Sequence, residues 1–198
     1  MPAPIRSSSS RKPKSPAAPK AKGAAPANPP GVVMGLALTR TGATAATVEC
    51  LLLPGRGKLI LTGNLVGSAR DAAQVAVSLV RARAKSLKLD PALFLHTDIH
   101  FHVMDPLPAK GGPSIGLPMF VALVSALTRK PVDPTFAFTG ELSLTGAVLP
   151  VEGVAAKAKA AAKAGARRLY MPKGNEGEVG RIWSSMRIIG AENVRFYE

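Results

Sequence analysis

Lys110-Gly111-Gly112-Pro113-Ser114-Ile115-Gly116 reads as a turn that opens a helix, and the apolar run from Leu117 to Leu127 reads as the helix it opens. Pro113 is pre-organised for a first helical turn, and the glycines before it permit a tight backbone. Together they predict free amide hydrogens beside an exposed Ser114 hydroxyl. The apolar run is interrupted by Pro118 and Ser125 and is too short to span a membrane, which makes it a core helix and the protein a soluble one. Upstream, Thr97 to Val103 alternates as a strand does, sending Asp98, His100 and His102 to one side and Ile99, Phe101 and Val103 to the other. Downstream, Thr135–Thr139, Leu142–Leu144 and Ala147–Val151 read as short strands around glycine turns. A helix carrying Lys157 and stopped by Gly165 follows, and then a strand from Arg168 to Met171.

Toward the amino end, Val32–Arg40, Thr47–Leu53 and Lys58–Thr62 are β-rich runs separated by Thr41-Gly42 and Pro54-Gly55, as expected of an opening antiparallel sheet. Ser68 is placed to cap a helix whose stripe is Ala72, Val75, Ala76, Leu79 and Val80, with Asp90-Pro91 as its stop. At the carboxyl end, Ile182–Ile189 reads as helix and Val194–Tyr197 as extended. The fold class is α+β, mixed sheets packed with helices and no internal repeat. One domain is expected over residues 31–198, behind a tail over residues 1–30.

The tail carries six of the 26 Lys and Arg residues and none of the 12 Asp and Glu, in a chain of net charge +14. Rich in Pro, Ala, Ser and Lys, it buries too little apolar surface to offset its ordering entropy and is expected to be disordered. Its composition suits a solubilising linker, a nucleic-acid-binding arm, a nuclear-localisation segment around Arg11-Lys12-Pro13-Lys14, or an organellar leader; it is too polar for a secretory signal. Cys50 is the only cysteine, which excludes an intramolecular disulfide, and it reads as core.

Two side chains carry chemistry. Ser114, at a turn whose free N–H groups can hold an anion, is either a nucleophile beside an oxyanion site or a simple helix cap. Lys157 shares a helix face with Val154, Ala158 and Ala161, whereas Lys159 and Lys163 lie elsewhere. It either loses its proton through desolvation or snorkels to solvent. Asp98, His100 and His102 invite a metal reading, but adjacent same-face positions on one strand seldom converge on one ion; structural histidines fit better, and no metal or cofactor is expected.

Several segments resemble the proteolytic domain of Lon proteases, in that family's order and spacing: Thr97-Asp98-Ile99-His100-Phe101-His102-Val103, Gly112-Pro113-Ser114, Thr139-Gly140-Glu141-Leu142 and Val148-Leu149-Pro150-Val151. Leu53-Pro54-Gly55-Arg56-Gly57-Lys58-Leu59, Leu61-Thr62-Gly63 and Val80-Arg81-Ala82-Arg83-Ala84 look similar too, so the resemblance runs from Gly31 to Pro172. It implies a Ser-Lys dyad, with Ser114 as nucleophile and Lys157 as general base, 43 residues apart. Gly112 and Pro113 would support the serine, and Thr139 would hydrogen-bond near the lysine. It further implies endopeptidase action on unfolded proteins or peptides through an acyl-enzyme, a hexameric homo-oligomer, and a separate ATPase unfoldase, since the chain carries no Walker A loop. Gly111, Glu152 and the stretch from Met104 to Ala109 depart from the family pattern, and Pro118 is expected to remove an early helical hydrogen bond. The contrasting reading is a non-catalytic scaffold of the same fold whose basic tail contacts nucleic acid.

Overall fold

The chain from Asn28 onward turns at Gly31 into β1 (Val32–Thr39), which pairs antiparallel with β2 (Gly42–Pro54) in the register Val32↔Glu49 to Thr39↔Gly42. The computed structural model describes residues 27–63, 65, 67–104, 112–180 and 186–194. Nearly all of the tail, the loop through Ala109, and the expected elements over 182–185 and 195–197 lie outside them. β2 starts ahead of the expected Thr47, because β1 supplies a ladder partner to Ala43, Thr44, Ala45 and Ala46.

β3 (Leu59–Thr62) corrects the expectation of a purely antiparallel opening sheet. It does not pair with β2 but runs parallel to β4 (Thr97–Met104), which itself pairs antiparallel with β2. The cause lies in the turn before it: the Asp98 carboxylate accepts hydrogen bonds from the N–H groups of Arg56 (2.7 Å) and Lys58 (2.8 Å), drawing the chain across β4. Those same bonds hold the Asp98 pKa below its ordinary value.

β5 (Phe136–Phe138) lies parallel to β1 on its other side. β6 (Glu141–Leu142) and β7 (Val148–Leu149) form a separate two-stranded antiparallel sheet, shorter than the expected runs. β8 (Arg168–Pro172) and β9 (Arg187–Ala191) extend the main sheet in parallel, giving the order β3-β4-β2-β1-β5-β8-β9. β9 corrects the helix expected up to Ile189. Parallel pairing with β8 satisfies its backbone, and Ile188 packs on the cluster that holds Leu169 and Met171.

Helices cover both faces of the sheet around β1, whereas the face of β4 that carries Asp98, His100 and His102 is only half-buried. Alternation along β1 divides the core: Val33 joins the cluster built with α1 (Ser68–Ala82) and α2 (Gly116–Thr128), whereas Met34 and Leu36 join the cluster built with α3 (Val154–Lys163). A fourth helix, α4 (Glu176–Val179), packs against α3. Ser68 is the first helical residue of α1, and Gly67, at φ 50°, takes the cap position. The helix ends at Ala82, and Asp90 instead caps a 3₁₀ turn over Pro91–Leu95 by accepting from the Ala92 N–H at 2.9 Å.

Candidate active site

Ser114 sits in a 3₁₀ turn, Pro113–Ile115, that leads directly into α2. The turn is clamped: the Ser114 carbonyl accepts the Gly140 N–H at 2.9 Å, and the Gly140 carbonyl accepts the Leu117 N–H at 3.0 Å. Gly140 is required there, because a Cβ would lie 2.9 Å from the Val148 side chain. Pro118 stands third in α2, in the first turn, where N–H groups have no intrahelical partner, so it costs the helix no bond. It also leaves no N–H four residues after Ser114 to compete with Gly140 for the serine carbonyl.

Lys157 sits one turn into α3. Gly153 precedes that helix at φ 67°, and a Cβ there would come within 2.6 Å of the Leu38 side chain. The missing Cβ lets α3 settle onto β1 and carries Lys157 inward: it is 1% exposed, while Lys159 and Lys163 are on the exposed face. Burial pulls the lysine pKa from 10.5 down to about 8, against the opposing pull of the Glu152 and Glu178 carboxylates.

Both residues line one cleft of about 620 Å³, together with Leu38, Gly112, Pro113, Glu141, Pro150, Val151, Glu152, Asn175 and Glu178. Leu38 is the last residue but one of β1, Glu141 follows β5, and Asn175 and Glu178 follow β8. The cleft therefore opens beyond the carboxyl ends of parallel strands, the usual ligand position in open sheets with helices on both faces. Ser114 reaches it from the helix layer on one face and Lys157 from the layer on the other.

Asn175 is not visible as a site residue in the sequence. It is 3% exposed, and its side chain binds both backbone groups of Val151: its Oδ1 accepts the Val151 N–H and its Nδ2 donates to the Val151 carbonyl, each at 2.9 Å. Nδ2 also donates to Glu178 Oε1. One buried amide thus fixes the wall that carries Glu152 to the turn that carries Glu178. The only trace in the sequence is a polar residue soon after an apolar strand.

Thr139 is completely buried, directly after β5. Its N–H donates to the Tyr170 carbonyl at 3.0 Å, and its hydroxyl has no hydrogen-bond partner among the described residues. Cys50 is buried, and burial pushes its thiol up to about 12, so it is a core residue and not a nucleophile at neutral pH. His100 and His102 share Thr62: its Oγ1 lies 2.9 Å from His100 Nε2 and 2.8 Å from His102 Nδ1. Among the described residues, no three His, Cys, Asp or Glu side chains are grouped to hold a metal ion, and no helix is long and apolar enough to cross a membrane. Gly111 lies outside the described residues.

A mixed, mostly parallel sheet between helix layers thus brings a serine turn and a buried lysine to one cleft beyond the strand ends. Residues 19–194 match the Lon protease (S16) C-terminal proteolytic domain, and the chain belongs to that family. It is 47% identical over 149 residues to a Lon protease of Phenylobacterium zucineum, covering 75% of this chain and 19% of that protein. It is 44% identical over 157 residues to Lon protease 1 of Bacillus subtilis, covering 79% of this chain and 20% of the relative. With a Lon protease of Methanosarcina barkeri it shares 44% identity over 149 residues, 75% of this chain and 18% of that one. The chain thus spans about a fifth of the length of these relatives.

Proposed function

We propose that residues 31–198 form a serine endopeptidase domain in which Ser114 is the nucleophile and Lys157 the general base, acting on unfolded polypeptides or peptides. The observation that carries this reading is the buried lysine, its pKa drawn to about 8, lining the same cleft as the serine of the helix-opening turn. At pH 7 roughly a tenth of such an amine is neutral and able to accept a proton.

In this reading the neutral amine, which lines the same cleft, takes the Ser114 proton as Oγ attacks the peptide carbonyl carbon. Backbone N–H groups at the turn stabilise the developing oxyanion, where one donor is typically worth about 3 kcal/mol. The Lys157 ammonium then protonates the leaving amine as the C–N bond breaks, leaving an ester on Ser114. Water, deprotonated by the regenerated amine, hydrolyses that ester. Thr139, whose buried hydroxyl has no partner among the described residues, is assigned the role of orienting the amine in the reacting complex. Assembly into a homo-oligomer and substrate delivery by an ATP-driven unfoldase extend the same reading, and rest on the kinship with Lon proteases.

The full chain incubated with casein and with a quenched fluorogenic peptide should hydrolyse both. Activity should vanish in Ser114→Ala and Lys157→Ala. Undiminished turnover in either variant would refute the dyad.

A further inference from the structure

We propose that Glu152 and Glu178, together with Glu141, make this cleft selective for peptides that carry a lysine or arginine beside the bond to be cleaved. The proposal rests on the peptidase reading of the same cleft.

The charged side chains lining the cleft among the described residues are Glu141, Glu152, Glu178 and Lys157. Three carboxylates therefore meet one cation, and that cation is 1% exposed and enters no ion pair with any of them; the ion pair formed among the described residues is Lys173 with Glu192, elsewhere. The acidity is local: three of the chain's 12 acids gather at one cleft of a protein whose net charge is +14. It is also held in place. Asn175 binds the Val151 backbone next to Glu152 and donates to Glu178, so the segment that carries one acid is tied to the helix that carries the other.

The arrangement suits an organic cation better than a metal ion, since the carboxylates are not grouped to coordinate one centre. Glu152 and Glu178 are solvent-exposed and Glu141 half-buried, so they offer a long ammonium or guanidinium group several screened acceptors while its methylenes lie along Leu38, Pro150 and Val151.

Occupancy also acts on the base. Glu152 and Glu178 favour the charged form of Lys157, against burial. Other charged groups on elements packed against α3 are Glu49 on β2, Arg168 on β8 and Glu176 on α4; β1 carries none, and none of these lines the cleft. A substrate cation between Glu152 and Glu178 offsets their pull, so a basic peptide leaves Lys157 easier to deprotonate than a neutral peptide does.

The test uses the full chain and two quenched peptides that differ only by lysine or norleucine next to the cleaved bond. The lysine peptide should have the higher kcat/KM, by about five- to ten-fold at low salt, the size expected of two or three solvent-screened pairs. Its pH–rate limb should lie acid of the norleucine peptide's, and both differences should shrink in the double variant Glu152→Gln/Glu178→Gln. The amide introduced at position 178 keeps a carbonyl oxygen to accept from Asn175, so folding is retained. Equal kcat/KM for the two peptides, or a preference untouched in the double variant, would overturn the proposal. A second arm measures binding of the labelled peptides to Ser114→Ala by fluorescence anisotropy, where the same preference is expected and equal affinities count against it. Loss of all Ser114-dependent hydrolysis overturns the peptidase reading alone, and the binding arm then decides the charge preference.

Discussion

Replacing Lys157 with methionine removes a charge from a nearly closed site while keeping an unbranched side chain, one atom shorter. The folded-state pKa of Lys157 lies at about 8 against 10.5 for an ordinary lysine, because burial disfavours the ammonium. At 1.36 kcal/mol per unit this is a penalty of about 3 kcal/mol on the charged form in the folded chain. The sign follows from where the proton binds more tightly. Between pH 8 and 10.5 the unfolded chain holds the proton and the folded chain does not, so this residue's contribution to stability rises with pH across that window. Below it both states are protonated and the penalty is full and constant. Lys157→Met abolishes the penalty, so its stability advantage over wild type should be about 3 kcal/mol larger at pH 7 than at pH 10.5. Urea unfolding of both proteins, followed by circular dichroism at several pH values, measures this directly, since the titration of all other groups cancels in the comparison. A difference independent of pH would mean that Lys157 titrates alike in folded and unfolded chains, and the case for it as a base at neutral pH would fall with it.

Four further outcomes are expected. Ser114-dependent kcat/KM should rise about ten-fold from pH 7 to pH 9 and flatten above pH 8, whereas a base with an ordinary lysine pKa would give a rise of about a hundred-fold with no plateau. Thr139→Val should stabilise the fold by about 1 kcal/mol by removing an unpaired buried hydroxyl, while lowering kcat; destabilisation of that size, seen in thermal or urea melts, would show the hydroxyl to be bonded. Asn175→Ala should cost about 2 to 3 kcal/mol in urea, since it strips both backbone groups of Val151 of their partner, and should raise KM; unchanged stability would contradict the bonds described. Cys50 should react with a thiol-disulfide reagent only as fast as the protein unfolds, and rapid stoichiometric labelling of folded protein at pH 8 would refute its burial.

What is legible in the sequence is local. Pro113 after two glycines marks a helix-opening turn through its own φ restriction, and the 3.6-residue period alone separates Lys157 from Lys159 and Lys163. The alternation of Thr97 to Val103 sorts Asp98 and the histidines from the core face. What escapes depends on distant partners. β3 looks like the third strand of a meander because nothing in Lys58–Thr62 announces that Asp98, 40 residues on, captures its turn. Arg187–Ala191 lacks a period-2 pattern, since a parallel edge strand is specified by the neighbour it joins. Asn175 and Glu178 reveal nothing until β8 delivers them to the cleft, and the lone hydroxyl of Thr139 is a property of its surroundings. Ser68 suggests a cap by residue type, yet Gly67, with its left-handed φ, begins the helix one residue earlier.

The serine turn and the lysine helix belong to layers on opposite sides of the sheet, and the residues between them in sequence include β5, β6 and β7. During synthesis the proposed nucleophile emerges well before its base, and the two share a cleft only once the central strands have zipped. Under the proposed dyad, a half-made or partly melted chain holds no assembled site, so the architecture itself serves as the safety catch.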